Sequence, residues 1–335
     1  IYDFEKKTGQ IFNYYVDRVV FYDNNHIVFN AGSSIILAQI FYSGNSLQLT
    51  VTSTVSRSGV LSGGIACANN KICALVVGPA NVLYVYNVSS SYTISYNKNV
   101  SVTISDYFER LELSPSGVNV VMFSHPSPEY RILQCTVCNL STGNIQTLIT
   151  APTQSGTGYI LRVNCITFID DYNFFVGGGI DNEAHYSDNL GGFLYLYNIS
   201  TVNYVLTLLH KLDEEFDFVN VGAIYSVSIS EDGKTLILGT TDTSTSPMSC
   251  YILLFTMNKS DNYSFNFSGI TFALNYPGGE YKFTFARGDK LYFSTSNGAM
   301  VYQIDLVDKS SLLVNNSLSI EIQGIYTKIY RGSTL

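Results

Sequence analysis

Tryptophan is absent from this 335-residue chain, and charge is scarce, since only 13% of the residues are Asp, Glu, Lys or Arg. That share is about half of what globular proteins usually carry. The 18 basic residues are scattered and the net charge is −8. A nucleic-acid surface needs a basic patch that releases counterions from phosphates. We therefore expect no nucleic-acid partner.

Long apolar runs and helical periodicity are also missing. No stretch approaches the roughly 20 apolar residues that span a bilayer, so we expect no membrane span in this chain. The sequence begins at Ile1 rather than at Met and shows no signal peptide. We interpret it as a processed mature protein. Hydrophobic residues nevertheless make up 46% of the chain, enough for a large core.

The six cysteines form no metal-binding or redox pattern. Cys67 and Cys73 flank a short turn, so they predict either a cross-strand disulfide or two buried thiols. Cys135 and Cys138 form a CxxC in a predicted strand rather than at a helix N-terminus, which disfavours a redox role. A second CxxC is missing and the four His are dispersed, which disfavours structural zinc. The spacing leaves open the pairing of Cys135, Cys138, Cys165 and Cys250.

The chain does contain a repeated strand-turn-strand motif. Its turns begin near Asp23, Asn69, Pro115, Asp170, Asp232 and Gly288, at intervals of 46 to 62 residues. The flanking strands are rich in Val, Ile, Leu, Tyr and Phe, which suit a pleated surface. The predicted hairpins span 18–31, 64–77, 111–124, 165–178, 227–240 and 283–296.

Each repeat has room for two hairpins, and four strands per unit at this spacing predict the blades of a β-propeller. We expect an all-β, seven-bladed β-propeller forming a single domain over 1–335. The N-terminal stretch 1–15 matches third and fourth strands, and the C-terminal stretch 325–335 matches a first strand. We therefore expect both termini to share the closing blade, which would remove a free sheet edge.

A second repeated motif has an Asn at the turn between the third and the fourth strand. Asn87, Asn139, Asn198 and Asn258 fall in this register. An Asn side chain stabilises such turns by bonding its own backbone, which explains the residue without any glycan. Each of these Asn is also followed by x-Ser, the acceptor pattern for N-glycosylation. The candidate glycan acceptors are Asn87, Asn99, Asn139, Asn198, Asn258, Asn262, Asn266 and Asn315.

The stretch SISEDGKTLILGTTD (228–242) resembles the strand-turn-strand of the YVTN and lactonase-like seven-bladed propellers, and LYLYNISTVN (194–203) resembles their third strand and turn. The repeat is similar in outline to WD40 units, without their Gly-His and Trp-Asp signatures. The resemblance implies the fold and carries over no catalytic residue. In its low charge and abundant Tyr, Asn, Ser and Thr, the composition looks like that of secreted surface proteins of thermophilic archaea.

Function in such a scaffold is expected in loops on one face, with long candidates at 124–131, 177–192, 209–222 and 239–251. Asp181, Glu183 and Asp188 in the second loop could hold Ca²⁺, although a solvated polar loop explains them as well. An acidic patch is expected on the same face at Asp213, Glu214, Glu215 and Asp217, and a solvated charge run explains it as well. No other cofactor is expected.

Two functions remain open on the sequence alone. The first is a secreted or cell-surface, glycosylated binding or structural propeller, which would act in an extracellular assembly, an adhesin or a surface layer. Its partners would be other protein subunits or surface polymers and glycans. The second is an extracellular lactonase-like or other hydrolase that uses the loop face. A pocket with convergent polar groups would favour the enzyme, and a flat contact face would favour the assembly protein.

Overall fold

The structure is a computed structural model. It describes residues 2–3, 8–9, 19–44, 46–56, 64–76, 81–104, 107–125, 133–150, 159–182, 185–212, 222–230, 233–242, 249–260, 263–275, 281–287, 290–295 and 301–305.

The described chain is built of β-strands that pair antiparallel with their neighbours in sequence. The first pair is β1 (Tyr2–Asp3) and β2 (Thr8–Gly9). Sheet 1 contains β3 (Val19–Phe21), β4 (His26–Ala31), β5 (Ser34–Ser43) and β6 (Ser46–Ser56). Sheet 2 contains β7 (Ile65–Ala68), β8 (Lys71–Val76), β9 (Val82–Val88) and β10 (Ile94–Ser101). Sheet 3 contains β11 (Tyr107–Leu113), β12 (Asn119–His125), β13 (Leu133–Asn139) and β14 (Ile145–Thr150).

The same meander continues in the second half of the chain. Sheet 4 contains β15 (Tyr159–Phe168), β16 (Asn173–Asn182), β17 (His185–Ile199) and β18 (Leu206–Lys211). Sheet 5 contains β19 (Ile224–Ile229), β20 (Thr235–Asp242), β21 (Ser249–Asn258) and β22 (Ser264–Asn275). Sheet 6 has three described strands, β23 (Tyr281–Arg287), β24 (Lys290–Thr295) and β25 (Val301–Asp305). All six predicted hairpins are confirmed as the first two strands of successive sheets.

Turn chemistry explains where these strands reverse. Asn69 and Asn70 form the two-residue loop between β7 and β8, with φ of 44° and 61°. Asn tolerates this left-handed backbone better than most residues, and two such residues match the right-handed twist of the strands. In sheet 3 Gly117 takes the left-handed position, with φ of 69°. A Cβ there would lie 3.0 Å from the carbonyl oxygen of Ala68, so glycine also permits this close approach.

Sheets 1 to 3 pack face to face in succession, which is why their inner strands do not alternate between apolar and polar residues. On β8, Ile72 and Ala74 pack in a cluster with Val28 and Leu37 of sheet 1. The intervening Cys73 and Leu75 pack in another cluster, with sheet 3. Both faces of β8 are therefore buried. A third cluster joins sheets 4 and 5.

The described residues divide into two compact units. The first contains sheets 1 to 3 together with the turn ends of sheet 4, at 170–174 and 198–207. The second contains the rest of sheet 4 with sheets 5 and 6. The expectation of one domain over 1–335 stays a prediction, as does the blade number of seven. The closing blade also stays a prediction, because 306–335 lie outside the described residues.

Two sequence-based expectations are wrong. The sequence predicts a loop over 177–192, but most of this stretch belongs to the long antiparallel hairpin of β16 and β17. The predicted disulfide is also wrong, because Cys67 lies opposite Ile72 and Cys73 lies opposite Ala66. Neighbouring residues on a strand point to opposite faces, so the two sulfurs face away from each other. Cys67, Cys73, Cys135, Cys138 and Cys165 are all free thiols.

Candidate functional site

A β-bulge recurs in the first strand of several sheets. In sheet 3 Phe108 pairs with Ser124 and Arg110 with Phe123, so Glu109 is the extra residue. Sheets 5 and 6 have a register shift in their first strands as well. A bulge bends the strand and re-aims a side chain, and bulges are common next to functional sites.

The bulged Glu109 is aimed at a histidine. Its Oε1 lies 3.0 Å from Nε2 of His125, the last residue of β12. The histidine side chain is only 1% exposed and the glutamate 22% exposed. A carboxylate at this distance can fix the ring orientation of an imidazole. The pair therefore places a partly exposed carboxylate against a buried imidazole at one end of the sheet.

Packing fixes the bulge from the side of sheet 2. A Cβ built on Gly64 would lie 2.9 Å from the Phe108 ring, so the absence of a side chain at Gly64 lets this ring approach the backbone. The Gly64 carbonyl in turn accepts the backbone N–H of Leu75 at 2.9 Å. The pair lies at the end of sheet 3 where 126–132 connect β12 to β13, and that connection lies outside the described residues.

A second recurring feature lies at the opposite ends of the strands. Three tyrosines adopt a left-handed backbone in the turn between the third and fourth strands, with φ of 58° at Tyr92, 55° at Tyr204 and 62° at Tyr263. Such a backbone costs a non-glycine residue roughly 1 kcal/mol or more. In sheet 3 the same position is taken by Gly143, with φ of 79°. We call the three tyrosines the tyrosine clasps.

The clasp of sheet 2 reaches back to sheet 1. The Tyr92 ring stacks on His26, with centroids 3.6 Å apart and planes 18° apart. Asp23 binds Nδ1 of His26 at 2.9 Å and the backbone N–H of Asn25 at 2.7 Å. Although burial opposes it, hydrogen bonds from Asn25, His26 and Tyr92 lower the pKa of Asp23. The Asp23 carboxylate is thus the centre of the junction between sheets 1 and 2.

The clasp of sheet 4 reaches back to sheet 3 in the same way. The Tyr204 hydroxyl donates to Oδ1 of Asn119 at 3.1 Å, and Nδ2 of Asn119 donates to the carbonyl of Asp171 at 2.8 Å. The Asp171 carboxylate accepts the backbone N–H of Ser116 at 2.8 Å. Burial raises the pKa of Tyr204. Asn119 opens β12 as His26 opens β4, so both clasps contact the same position of the preceding sheet.

The junction between sheets 2 and 3 uses donors of another kind. Nζ of Lys71 donates to the carbonyl of Gly117 at 2.8 Å, and Nδ2 of Asn69 donates to the carbonyl of Ser116 at 2.7 Å. Nζ of Lys98 donates to the carbonyl of Leu140. In these three bonds sheet 2 donates from Asn69 and from two lysines, and sheet 3 accepts with backbone oxygens.

Neither feature was identified from the sequence. Glu109 and His125 are 16 residues apart, and nothing in their local pattern marks a bulge. The clasps do leave a signal, because a Tyr precedes the fourth strand in SSSYTIS (89–95), TVNYVLT (201–207) and SDNYSFN (260–266). A comparison of the four turns would have detected it.

Six of the eight candidate glycan acceptors lie in the described residues. Asn139 accepts the backbone N–H groups of Ser141 and Thr142 at 2.9 and 3.0 Å, which is the turn-stabilising role expected of it. Asn198 is half-buried and its Nδ2 donates to Asn173 at 2.8 Å. A sugar on Asn198 would replace one of the two Nδ2 hydrogens, so the remaining hydrogen would have to make this bond. The four exposed acceptors are Asn87, Asn99, Asn258 and Asn266.

The other predicted site residues are only partly visible. The backbones of Asp181 and Asp188 lie in β16 and β17, but their side chains, and Glu183 entirely, lie outside the described residues. The acidic run 213–217, Asn262 and Asn315 lie outside them too. Among the described side chains no group of three His, Cys, Asp or Glu could hold a metal ion. Calcium therefore stays a prediction.

The CxxC is confirmed as part of a strand. Cys135 and Cys138 both lie in β13, fully buried and three residues apart, so they point to opposite faces. Burial raises the pKa of Cys138 to about 11 and also raises the pKa of Cys135 and of Cys73. A buried thiol with a raised pKa forms little thiolate at neutral pH, so these cysteines act as core residues.

Comparison with known proteins identifies the fold but no relative by sequence. No protein-family profile and no curated protein sequence matches this chain. A putative 6-phosphogluconolactonase from Bacteroides uniformis shares 13% identity over 84% of this chain and 78% of its own, with a TM-score of 0.50. Hsv2 from Kluyveromyces lactis shares 12% identity over 90% of this chain and 76% of its own, with a TM-score of 0.52. The fold is a β-propeller.

A third solved structure is similar in fold. Hydrazine synthase from Kuenenia stuttgartiensis shares 11% identity over 85% of this chain and 74% of its own, with a TM-score of 0.52. At such identities the likeness shows the fold alone, because one fold hosts many unrelated functions. The expected resemblance to lactonase-like and WD40-like propellers is confirmed at that level. No helix in the described part of the β-propeller is long and apolar enough to cross a membrane.

Proposed function

We propose that this β-propeller is a secreted or cell-surface glycoprotein that binds other protein subunits or surface glycans in an extracellular assembly. The observation that carries the proposal is the placement of the exposed acceptors. Asn87 and Asn258 stand at the ends of third strands, and Asn99 and Asn266 stand on the outermost strands. All four therefore present a side chain to solvent, as a bulky glycan requires.

The proposed glycans also have a physical use where they stand. Exposed edge strands invite pairing with other chains, and proteins block such edges with bulky or charged groups. Asn99 lies on the edge strand of sheet 2 together with the exposed Tyr96, and Asn266 lies beside the exposed Phe267 on the edge of sheet 5. Sugars at these two positions would obstruct strand pairing at the edges that carry these apolar residues and leave the opposite ends of the strands free for partners.

Intact-mass measurement of the protein from its native source, before and after enzymatic deglycosylation, tests the proposal. We expect a mass above that of the sequence, with the excess lost on deglycosylation. A variant with Gln at the four exposed positions should lose most of the excess, whereas Asn139→Gln, at a half-buried acceptor, should lose little. An unmodified mass equal to the sequence mass would overturn the proposal.

A second candidate, an extracellular lactonase-like or other hydrolase, is favoured by the Glu109–His125 pair. In this pair the Glu109 carboxylate is the partly exposed group, and it could act as the general base that activates water. Assay of the purified protein against lactones and esters tests this candidate. Glu109→Gln should then abolish turnover while the protein stays folded, and the matched Glu112→Gln, on the same strand, should not. Equal activities in the two variants would exclude the pair as the catalytic group.

A further inference from the structure

The candidate glycan acceptors near the turns between third and fourth strands are held in two different ways. In sheets 2, 3 and 4 the residue after the acceptor Asn donates its backbone N–H to the turn of the first hairpin. These bonds join Val88 to the carbonyl of Asn70 at 2.8 Å, Leu140 to that of Val118 at 2.7 Å and Ile199 to that of Tyr172 at 2.8 Å. The three donors are at most 4% exposed. The middle residue of each acceptor pattern therefore belongs both to the hydrogen-bonded sheet and to the core.

In sheet 5 the acceptor pattern is displaced by two residues. Met257, which is 2% exposed, makes the corresponding bond there, to the carbonyl of Lys234 at 2.7 Å. Thr256 therefore takes the place that Asn87 has in sheet 2, because each directly precedes the residue that makes this bond. Asn258 is the last residue of β21 and lies two positions further along the chain. The acceptor pattern of sheet 5 thus extends out of the sheet into the turn.

The displaced pattern is exposed along its whole length. Asn258, Lys259 and Ser260 are all exposed. Oγ of Ser260 donates to Oδ1 of Asn258 at 2.7 Å, and the backbone N–H of Ser260 donates to the same oxygen at 3.1 Å. In sheet 2 the serine of the pattern is Ser89, whose Oγ accepts the backbone N–H of Thr93 at 3.1 Å within the turn. Of these two patterns, the one at Asn258 has its amide and its hydroxyl side by side at the surface.

We propose that Asn258 accepts its glycan on the folded protein, whereas Asn87 accepts one only before β9 pairs with its neighbours. This order of modification rests on the proposed function. The acceptor pattern requires the Asn and the hydroxyl two residues on, so a transferase must hold all three residues at once. The transfer forms a bond between Nδ2 and C1 of the sugar and breaks the bond from C1 to a phosphate oxygen of a lipid-linked sugar donor. That oxygen keeps the electron pair, and Nδ2 gives one proton to a base of the transferase.

A transferase reaches the two patterns at very different cost. Access to the pattern of Asn87 requires breaking the Val88 bond and moving Val88 out of the core cluster between sheets 1 and 2. Core strands open rarely, whereas exposed turns open readily. The pattern of Asn258 needs no such opening, because Lys259 and Ser260 follow the end of β21. The Asn87 side chain is itself exposed, so a sugar attached before folding is compatible with the folded sheet.

Glycosylation of the folded chain in vitro tests the inference. The full chain, made in a host without N-glycosylation, is incubated with a purified oligosaccharyltransferase and a lipid-linked oligosaccharide, and mass spectrometry of glycopeptides follows each site. Unfolded peptides covering 82–94 and 252–264 are the references, and each rate is divided by that of its own peptide, so that the sequence preference of the transferase cancels. We expect this ratio to be at least about tenfold lower at Asn87 than at Asn258. Equal ratios, or a folded chain that is not modified at Asn258 although its peptide is, would overturn the inference.

The displacement by two residues has its own test. The double variant Thr256→Asn, Asn258→Ser moves the pattern back to the paired position, with Met257 in its middle, and should lose modification of the folded chain at least about tenfold while its peptide is still modified. The matched variant Lys259→Met also has a methionine in the middle of the pattern, but an exposed one, and should be modified like the wild type. All substituted positions are exposed, so both variants should fold. Equal modification of the two folded variants would contradict the inference. These sugars are added in vitro, so the result is independent of the mass of the native protein, which tests the proposed function.

Discussion

The junctions between neighbouring sheets in the first unit are made with two different chemistries. The junctions of sheet 1 with 2 and of sheet 3 with 4 each have a left-handed tyrosine and a carboxylate. The junction of sheet 2 with 3 has lysines that donate to backbone oxygens. All three junctions lie at the turn end of the repeat, so the geometry of the blade does not determine the side chains that hold it.

The difference predicts unequal strength. A clasp places polar groups where water is excluded, as at Asn119, which is fully buried. An unsatisfied buried polar group costs about 1–3 kcal/mol. A lysine bond at a partly exposed turn competes with water, and its loss can be replaced by water at little cost. We therefore expect the clasped junctions to contribute more to stability, and to be more sensitive to substitution, than the lysine junction.

The largest effect should come from Asn119→Ala. This substitution removes both Asn119 bonds and strands the Tyr204 hydroxyl and the Asp171 carbonyl, so we expect a loss of about 3 kcal/mol. Chemical denaturation followed by intrinsic tyrosine fluorescence measures it. The matched variant Thr235→Ala changes the equivalent position of sheet 5 and should cost less than half as much. Equal losses would show that Asn119 holds no special junction.

Acid should weaken the clasped junctions selectively. The pKa of Asp23 is lowered as described, and hydrogen bonds from Ser116 and Ser114 outweigh burial to lower the pKa of Asp171. A carboxyl whose pKa is lower in the folded state stabilises the protein above its unfolded pKa, and this contribution is lost as pH falls below about 4. The double variant Asp23→Asn, Asp171→Asn should be less stable at pH 7 and show a smaller loss between pH 5 and pH 3.

The lysine junction provides the control for this acid effect. Lys71→Met should leave the loss of stability between pH 5 and pH 3 as it is in the wild type, because no carboxylate takes part in that bond. If Lys71→Met flattened the acid dependence as much as the aspartate variant does, the two junctions would not differ in the way proposed.

The clasps and the hairpins differ in how far the sequence predicts them. The six hairpins follow from turn residues and β-branched strands, because both signals are local. The left-handed backbone of the three tyrosines and the bulge at Glu109 depend on contacts with a neighbouring sheet. The sequence of a single repeat does not show these contacts. The loop prediction for 177–192 is wrong because Gly, Asn and Asp favour loops, whereas cross-strand pairing in a long hairpin overrides that propensity. The prediction of a Cys67–Cys73 disulfide is wrong because the two cysteines are one residue out of register across the hairpin.

A smaller effect is expected at the lysine junction itself. Lys71→Met keeps the length of the side chain and removes one charge-assisted hydrogen bond at a half-buried position. We expect a loss of about 0.5–1 kcal/mol in chemical denaturation. Lys259→Met, at an exposed turn of sheet 5, serves as the matched control and should change stability by less. A loss as large as that of Asn119→Ala would contradict the ranking of the two junctions.

The smallest effect should come from placing a tyrosine clasp at the junction of sheet 2 with 3. Gly143 holds the left-handed position of sheet 3, and a Cβ there would meet no atom within 4 Å. Gly143→Tyr adds roughly 1 kcal/mol of backbone strain, which contact of the new ring with the turn of sheet 2 should offset. We expect the free energy of unfolding to change by less than about 0.5 kcal/mol, whereas Gly143→Ala, with the same strain and no ring, should lose about 1 kcal/mol. If both variants lose the same amount, the ring finds no partner, and the clasp requires the residue it meets in the preceding sheet as much as the tyrosine itself.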